Sequence, residues 1–582
     1  MGEKRKKRKS KEKPLEPINA PEKRGLGEYA EKVILKNSSP ERKARILLLV
    51  VLTFLCLLPF VGKPFHIDDP LFIWTAKNIQ ANPLDPYGFN VNWYGIEERM
   101  ADVNKNPPIV SYYIAAVASI LGWNETALHI AFLIPAIAVI TGTFLIAEKF
   151  CMHPLLAGLA ALLTPVFLVS STTVMSDIMM LAFWVFAVYF WVSGVDNNKF
   201  PLLLVSAILI PICALTKYFG MALIPLLLFY SVFKRRSVGR WALFMLLSVA
   251  VLAWYQWETH SLYGHGLLMD AASYAIDAPS NFGRWSLPKL LVGLSFTGGC
   301  IIVVLLFTNL IWSWKEVSAG AALTVIMAVV VASAGSIGTY RLPADAAARW
   351  IAALEFGLFI SSGISLLAIS ILDFKDRKDA GSSLLLLWVM GTFVFAAFVN
   401  WTTAARSILP MVPAAGILIG RRMEQRRSLR KPVCLRQVLI PLIGAAVVSL
   451  AVTWADYKFA DSARAAAADT RDKYISKGHN TWFTGHWGFQ YYMQEFGAKP
   501  FDVRLWPAPG DIFAVPRNSS NNFLPHEEYV RLIEIIEVPQ SAVVTTANSK
   551  LGAGFYSDVF GPLPFAVGKV PSDQYRIFEV IR

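Results

Sequence analysis

The sequence predicts a polytopic α-helical membrane protein with a small α/β domain at its C-terminus. Of the 582 residues, 55% are hydrophobic and only 16% are charged, whereas a soluble domain carries about 25% charged residues. Apolar runs of about 15–24 residues recur along the chain, close to the length that crosses the roughly 30 Å hydrocarbon core of a bilayer. The residues after 454 lack such runs and are typical of a soluble domain.

Residues 1–45 are expected to form a disordered cytoplasmic tail. They contain 15 Lys and Arg against 7 Glu, a net charge of +8, and they include the tract "GEKRKKRKSKEK". Basic residues next to a span usually stay on the cytoplasmic side and attract anionic lipid. Because much of the total net charge of +14 lies in this tail, we expect membrane lipids rather than a nucleic acid as its partner.

With the N-terminus inside, the apolar runs predict a transmembrane domain of thirteen spans within residues 46–454. The basic loops at 234–240 and 421–436 then both lie on the cytoplasmic side, in agreement with the positive-inside rule. The predicted spans are 46–62, 126–147, 153–171, 174–194, 200–216, 219–233, 239–257, 288–312, 317–335, 349–371, 383–399, 403–420 and 437–454.

The two longest segments expected outside the cytoplasm lie at the start and at the end of this transmembrane domain. The first, 63–125, contains an apolar helix at 107–121 that reaches only about 22 Å, so it is predicted to be juxtamembrane or re-entrant. The second, 455–582, contains the strand-like pieces "TWFTG" and "SAVVTTA" and the helical pattern "GFQYYMQEFG". These patterns predict a small extracytoplasmic α/β domain.

Unusual polar residues collect at the outer boundary of this predicted topology. Asp68 and Asp69 follow the first span within a few residues, in the stretch "FHIDDPLFIWTAKNI". Ionisable groups at a membrane edge cost free energy unless they are solvated or paired, so they are candidates for function. The same boundary is predicted for Asp177, Lys217, Arg341, Arg349 and Arg406.

These residue types suggest a chemistry, although structural roles stay open. A carboxylate can remove a proton from an acceptor hydroxyl or bind a divalent cation, and Lys or Arg can hold an anionic leaving group. Alternatively, Asp177 can cap a helix N-terminus, and Lys217 and Arg406 can snorkel to the interface. The sequence shows no complete set of metal ligands, which leaves a divalent cation as an open alternative.

Five motifs follow one another along the chain: an acidic pair after the first span, a Pro-Pro juxtamembrane helix, a span-opening Asp, a Lys after an apolar span and an Arg before a proline-spaced span. They are "HIDDPLFIWTAKNI", "KNPPIVSYYIAA", "SDIMMLAFW", "LTKYFGMALIPLL" and "ARSILPMVPA". In this order, the motifs resemble the GT-C superfamily of membrane glycosyltransferases, and most closely the branch with protein O-mannosyltransferases and the lipid A aminoarabinose transferase. The likeness covers roughly residues 45–420.

The resemblance implies a polyprenyl- or dolichyl-phosphate sugar as donor and inverting transfer, outside the cytoplasm, to a protein, lipid or glycan. It implies that Asp68 is the general base, that Asp69 is its partner and that Asp177 lines the same cavity. Lys217 and Arg406 are the expected contacts of the lipid phosphate. Two departures are that Asp69 stands where Glu is common and that Asn106 precedes the Pro pair where some relatives have Lys or His. The full set of expected substrate-binding residues is His66, Lys105, Asn106, Lys217, Tyr218, Arg341, Arg349 and Arg406.

Two other functions compete with a glycosyltransferase: a lipid-linked glycan transporter or flippase, and a polysaccharide polymerase or ligase. A transporter is expected to carry its functional charges near the middle of the membrane, whereas here they gather at one rim. A polymerase or ligase would use a lipid-diphosphate donor, and the acid pair after the first span argues against it. We therefore expect a multi-pass enzyme of the inner or plasma membrane.

Overall fold

The computed structural model describes residues 39–427 and 435–582. Most of the predicted N-terminal tail, 1–38, and part of the predicted cytoplasmic loop 421–436, namely 428–434, lie outside the described residues. The chain divides into two units, Met1–Leu48 and Leu49–Arg582. The first unit contributes the start of helix α1, and the second contains the remaining elements described below.

Helices account for most of the described chain. They are α1 Ser39–Leu57, α2 Asp69–Ala81, α3 Met100–Val103, α4 Ile109–Leu121, α5 Glu125–Phe150, α6 Pro154–Leu162, α7 Pro165–Ser170, α8 Ser176–Asn197, α9 Phe200–Thr216, α10 Leu223–Arg235, α11 Leu243–Tyr263, α12 Leu267–Asp277, α13 Leu287–Cys300, α14 Val303–Leu306, α15 Thr308–Ile311, α16 Trp314–Ala334, α17 Ala346–Arg377, α18 Ala380–Val394, α19 Ala405–Ile408, α20 Val412–Arg427, α21 Leu435–Lys473 and α22 Trp487–Glu495. A π-helical turn, Phe395–Val399, continues α18, and short 3₁₀ turns lie at Leu58–Phe60, Tyr218–Ala222, Arg240–Ala242, Leu409–Met411 and Ile475–Lys477.

Within the described ranges, nine helical stretches are long and apolar enough to cross a membrane, from 18 to 43 residues in length. This confirms the predicted polytopic helical architecture. The predicted helix at 107–121 is present as the short α4, with 13 residues. Three predicted spans, 153–171, 288–312 and 403–420, are each broken into shorter helices.

The break between α6 and α7 has a local cause. The Thr164 side chain accepts a hydrogen bond from the backbone N–H of Phe167, and Pro165 occupies the first turn of α7. A capping Thr followed by Pro begins a new helix, because Pro lacks the N–H group that would continue the previous one.

Helix α21 extends well beyond the predicted span 437–454. It is a single helix of 39 residues, about 58 Å long at 1.5 Å per residue. Its second half contains the Ala-rich stretch "ARAAAADTR", whose composition strongly favours helix. The helix therefore continues past residue 454, where the transmembrane domain was predicted to end, and forms the first part of the C-terminal region.

The C-terminal region contains a mixed five-stranded sheet. Its strands lie in the order β6 (Lys499–Pro500), β5 (Thr481–Phe483), β7 (Ile512–Pro516), β13 (Asp573–Val580) and β8 (Val530–Val538). Strand β5 is parallel to both β6 and β7, and β13 is antiparallel to both β7 and β8. The predicted strand in "TWFTG" forms β5, and the predicted helix in "GFQYYMQEFG" forms α22. The sheet core contains Phe501, Phe513, Val515, Val530, Phe578 and Val580. This confirms the predicted small α/β region.

The described residues form thirteen strands. They are β1 Asn90–Asn92, β2 Glu97–Arg99, β3 Ser336–Ile337, β4 Tyr340–Arg341, β5 Thr481–Phe483, β6 Lys499–Pro500, β7 Ile512–Pro516, β8 Val530–Val538, β9 Val544–Thr545, β10 Ala547–Asn548, β11 Ala553–Gly554, β12 Ala566–Val567 and β13 Asp573–Val580. The predicted strand in "SAVVTTA" is present only as the short β9 and the start of β10.

The C-terminal region packs directly against the segment that follows α1. The Gln490 amide donates to the backbone oxygen of Asn92 at 2.7 Å, and the Asn92 amide donates to the backbone oxygen of Phe501 at 2.9 Å. Two fully buried ion pairs join the same regions to the helices, Lys63 with Asp456 at 2.5 Å and Lys289 with Asp558 at 2.6 Å. These contacts bring residues of the sheet region beside the acidic pair.

Candidate active site

The acidic pair lies where a tight turn at Ile67 and Asp68 leads into α2, with Asp69 as the first residue of that helix. Ile67 has a left-handed backbone with φ of 51°, which is rare and costly for a β-branched residue. The Asp69 carboxylate stabilises this turn, because Oδ2 accepts from the His66 N–H at 2.8 Å and Oδ1 accepts from the Val174 N–H at 3.0 Å. Burial raises the pKa of Asp69 to about 7, although its backbone hydrogen bonds oppose this rise.

Asp68 has a different environment from its neighbour. It lies just before α2, but its side chain does not cap that helix. Instead its Oδ2 atom lies 2.6 Å from Nη1 of Arg406 in α19. Both side chains keep partial exposure, 20% for Asp68 and 28% for Arg406, and both line a cavity of about 560 Å³.

A second acid–base pair lies beside the first. Lys217, between α9 and the 3₁₀ turn Tyr218–Ala222, forms a hydrogen bond with the Asp177 carboxylate in the first turn of α8. Asp177 is 2% exposed, whereas Lys217 is 22% exposed and lines the cavity. No side chain caps α8. Of the two roles considered for Asp177, the structure therefore shows the contact with Lys217 and not the helix cap.

The rest of the cavity wall combines aromatic, polar and apolar side chains. The π-helical turn after α18 contributes Phe395 and Val399, in keeping with the frequent occurrence of such turns at functional sites. The aromatic polar groups on the wall are Tyr94, Tyr218, Tyr274 and Trp401. Apolar residues include Leu71, Met180, Phe219, Met221, Leu268 and Ile276. The cavity therefore combines the charged side chains of Asp68, Lys217 and Arg406 with apolar surface.

Lys105 and Asn106 also line this cavity, but both already have protein partners. The Lys105 ammonium lies 2.5 Å from the Asp270 carboxylate of α12. The Asn106 side chain donates to the Asn104 side-chain oxygen at 3.3 Å. The segment before the Pro pair is therefore held in place at the cavity edge by its own hydrogen bonds.

Three of the predicted substrate-binding residues do not line the cavity. His66 is buried with its ring edge-on to Phe459 at 4.8 Å, and burial lowers its pKa to about 3. Arg341 is exposed on β4. The Arg349 guanidinium donates to two backbone oxygens at the start of its own helix, those of Pro343 and Ala344.

The structure adds cavity residues that the sequence did not single out. His486, Trp487, Ser520 and Asn521 reach the cavity from the C-terminal region. His486 stacks on Trp93 with 4.4 Å between ring centroids and contacts the Asn521 amide at 3.0 Å. Burial lowers the pKa of His486 to about 4, so the imidazole is neutral at neutral pH. The dense aromatic stretch "WFTGHWGFQYYM" is the sequence signal for this wall.

In the described part of the chain, the acids at and beside the cavity do not form a cation site. Within residues 39–427 and 435–582, no three His, Cys, Asp or Glu side chains are grouped so that they could hold a metal ion. Arg406 pairs with Asp68, and backbone N–H groups occupy both oxygens of Asp69. A divalent cation such as Mg²⁺ or Ca²⁺ binds through several oxygen ligands, and these residues do not provide such a set.

Comparison with solved structures gave several matches of low sequence identity. ArnT from Cupriavidus metallidurans bound to undecaprenyl phosphate is 12% identical over 82% of this chain and 94% of its own, with a TM-score of 0.44. The apo oligosaccharyltransferase of Archaeoglobus fulgidus is 11% identical over 78% and 64% of the two chains, with a TM-score of 0.46. AglB from the same organism, in complex with an inhibitory peptide and a dolichol-phosphate, is 12% identical over 80% and 62%, with a TM-score of 0.43.

Comparison with curated proteins gave no match. A protein-family comparison matched residues 105–257 to the family described as dolichyl-phosphate-mannose-protein mannosyltransferase. The matched segment contains the Pro-Pro helix, Asp177 and Lys217. Over residues 105–257, this match confirms the resemblance inferred from the motifs, which is to the protein O-mannosyltransferase branch of the GT-C membrane glycosyltransferases.

Proposed function

We propose that this integral membrane protein transfers a sugar from a polyprenyl- or dolichyl-phosphate donor to an acceptor hydroxyl or amine, outside the cytoplasm and with inversion at the anomeric carbon. One observation carries the proposal. A single cavity places the Asp68 carboxylate beside two cations, Arg406 and Lys217, against an apolar wall. A lipid-phosphate sugar needs cations for its phosphate, apolar surface for its lipid and a base for its acceptor.

The donor phosphate has two cations within the cavity. Lys217 and Arg406 are partly exposed there, and each is paired with a carboxylate. Charge-assisted hydrogen bonds from these groups to a phosphate are about twice as strong as neutral ones. Apolar residues such as Met180, Phe219 and Phe395 provide surface for the first isoprene units.

Donor binding also prepares the base. Without a donor, Oδ2 of Asp68 lies 2.6 Å from Nη1 of Arg406 in an ion pair, so this carboxylate oxygen is occupied. A phosphate that competes for Arg406 releases Asp68 from this pair. Asp68 then takes the acceptor proton as the acceptor oxygen or nitrogen bonds to the anomeric carbon and the sugar–phosphate bond breaks, leaving the lipid phosphate at the cations.

The remaining acids have supporting roles. Asp177 is buried and hydrogen-bonded to Lys217, so it fixes the position of the ammonium group at the cavity. Asp69 is fully buried and holds the turn that presents Asp68. Neither carboxylate lines the cavity, which makes both positioning residues.

The first test compares cells that contain the wild-type protein, no protein, or the Asp68→Asn variant. Absence of the protein should cause one polyprenyl-phosphate sugar to accumulate, as detected by mass spectrometry of extracted lipids. Asp68→Asn should cause the same accumulation and lower in vitro transfer by about 10²–10⁴-fold, the usual contribution of a positioned base.

The matched control is Glu527→Gln, because Glu527 is an exposed carboxylate that does not line the cavity. It should transfer at the wild-type rate. Near wild-type transfer by Asp68→Asn would remove Asp68 from the mechanism. An unchanged pool of lipid-linked sugars in cells without the protein would argue against the whole proposal.

A further inference from the structure

A second cavity lies between the segment after α1 and the C-terminal sheet. Its volume is about 610 Å³. It shares no lining residue with the cavity that contains Asp68, which is the catalytic cavity of the proposed function. Helix α2 and the β1–β2 hairpin form one wall, and β5, β6 and α22 form the other. Its aromatic and polar lining side chains include Trp74, Asn90, Asn92, Glu97, Trp482 and Gln494.

Two half-buried indole rings lie in this cavity, one on each wall. Trp482 is held by a hydrogen bond from Nε1 to the Asp511 carboxylate at 2.8 Å. Trp74 lies edge-on to Trp93, with 6.2 Å between ring centroids. Fixed aromatic rings lose little conformational entropy on binding, and they offer a flat apolar surface with a polar edge. The C–H face of a sugar ring packs on such a surface.

The polar groups around these rings suit hydroxyl ligands. Asn90 and Glu97 are exposed on the hairpin. The Gln494 Oε1 atom is buried and has no hydrogen-bond partner among the described residues. A buried acceptor without a donor is unfavourable, and a ligand hydroxyl would satisfy it.

The charged side chains that line this cavity balance in sign, Lys77 and Lys499 against Glu97 and Asp502. The Lys499 ammonium lies 5.3 Å from the centroid of the Trp482 ring, which leaves the opposite face of that ring for a ligand. Lys77 pairs with Glu495 at 2.8 Å, and Asp502 pairs with Arg504 at 2.5 Å. The surface therefore favours a neutral polyhydroxyl ligand over a strongly charged one.

A small void lies between the second cavity and the catalytic cavity and borders on both. This void of about 20 Å³ shares Asn92 and Pro500 with the second cavity. It shares Trp93, His486 and Asn521 with the catalytic cavity. A chain of sugars bound between Trp74 and Trp482 therefore lies next to the cavity that contains Asp68.

We infer that this second cavity binds a neutral oligosaccharide, which is the distal part of a glycan-bearing acceptor. The inference rests on the proposed function, since it names the acceptor class of the same transfer reaction. The glycan packs on Trp74 and Trp482 and bonds through its hydroxyls to Gln494, Asn90 and Glu97. A hydroxyl on the part of the same acceptor that enters the catalytic cavity receives the new sugar beside Asp68.

The test measures binding to the full-length protein in detergent micelles. The probes are a panel of fluorescently labelled neutral oligosaccharides of three to six sugars and, as the rival class, a library of labelled octapeptides. The wild type should bind at least one oligosaccharide. Trp482→Ala, Gln494→Leu and Asn90→Ala should each weaken that binding about tenfold or more, whereas Asp68→Asn should retain it.

The matched control is Trp506→Ala, because Trp506 lies in the same region but does not line the cavity. It should bind like the wild type. Trp482→Ala loses the bond to Asp511, so thermal unfolding is measured for each variant. If Trp482→Ala is unfolded, the exposed Asn90→Ala decides the result.

Three outcomes overturn the inference: no oligosaccharide binds the wild type, only peptides bind, or Trp506→Ala weakens binding as much as the cavity variants.

Transfer from a polyprenyl-phosphate sugar is measured separately with the same preparations. Active transfer without oligosaccharide binding removes the glycan site and leaves the proposed function intact. Oligosaccharide binding without transfer in the wild type removes the proposed function instead.

Discussion

Asp68 and Asp69 are adjacent in the chain, yet their surroundings give them different roles. Asp68 faces a cavity and pairs with Arg406, whereas Asp69 is fully buried and accepts from two backbone N–H groups. A carboxylate whose oxygens are both used by the backbone holds the chain in place. A carboxylate that faces a cavity can reach a substrate.

Replacing Asp69 by Asn should destabilise the protein. The amide has one acceptor oxygen in place of two, so one of the backbone N–H groups of His66 and Val174 loses its partner. An unsatisfied buried donor costs about 1–3 kcal/mol, which thermal unfolding in detergent will detect as a lower transition temperature. Asp68→Asn, in the cavity, is the matched comparison and should unfold near the wild-type temperature. Equal transition temperatures for Asp69→Asn and the wild type would refute the structural role of Asp69.

Lys217 provides a prediction about the donor. Removal of its ammonium in Lys217→Ala deletes a charge-assisted contact with the phosphate, so the apparent KM for the donor should rise about 10–100-fold. The KM for the acceptor should change little. Initial-rate kinetics with each substrate varied in turn will separate the two.

Arg341→Ala is the control for this experiment, because Arg341 is exposed and does not line the cavity. Its donor KM should equal that of the wild type. An unchanged donor KM in Lys217→Ala would show that this lysine only extends toward the membrane interface.

At the scale of elements, two helices of the transmembrane region pack through glycines. A Cβ atom added at Gly298 of α13 would lie 1.9 Å from the Phe359 backbone oxygen, and one at Gly363 of α17 would lie 2.3 Å from the Leu294 backbone oxygen. Small residues let helix backbones approach closely where the apolar solvent provides no driving force for association. The contact between α13 and α17 thus depends on the absence of side chains.

Gly298→Ala should therefore separate these helices and destabilise the protein. Overpacking of a close contact costs about 1–3 kcal/mol, and it should appear as a lower unfolding temperature in detergent. The control is Gly391→Ala in α18, where no atom lies within 4 Å of the added Cβ. The control should be as stable as the wild type. If both variants unfold at the same temperature, close approach of α13 and α17 is not needed for stability.

At the scale of the whole molecule, the C-terminal region helps to shape the catalytic cavity. Asp558 accepts from the Lys289 ammonium at 2.6 Å, from the Thr402 hydroxyl at 2.8 Å and from the Thr403 N–H at 2.9 Å. Thr402 lines the cavity. The segment that leads into Arg406 is thus fixed by a residue more than one hundred and fifty positions later in the chain.

Asp558→Ala should be strongly destabilising, because it leaves the buried Lys289 charge unpaired. Breaking a buried pair costs about 3–5 kcal/mol. The double variant Lys289→Met/Asp558→Asn removes both charges, and its amide oxygen can accept from the Thr403 N–H while its NH2 group donates to the Thr402 hydroxyl. It should therefore recover most of the lost stability. Thermal unfolding of both variants tests this. A double variant as unstable as Asp558→Ala would show that the ion pair itself is not the cause.

The local sequence determined the helical architecture of this protein. A bilayer requires backbone hydrogen bonds to be satisfied within a segment, so an apolar run of sufficient length is enough to predict a helix. The same reasoning predicted the short helix at 107–121, which is α4. Motif order also brought out Asp68, Lys217 and Arg406, which do line one cavity.

Only the tertiary structure decided how these residues combine. Asp68 and Arg406 are separated by 338 positions, and nothing local in the sequence pairs them. The same holds for His486 and Asn521, which reach the cavity from the sheet region. Arg341 is predicted to bind substrate, but it lies on β4 outside this cavity. Its charge and its predicted position at the membrane boundary do not specify on which side of the helix bundle it lies. Long-range packing of the C-terminal region against the first loop determines which polar groups meet.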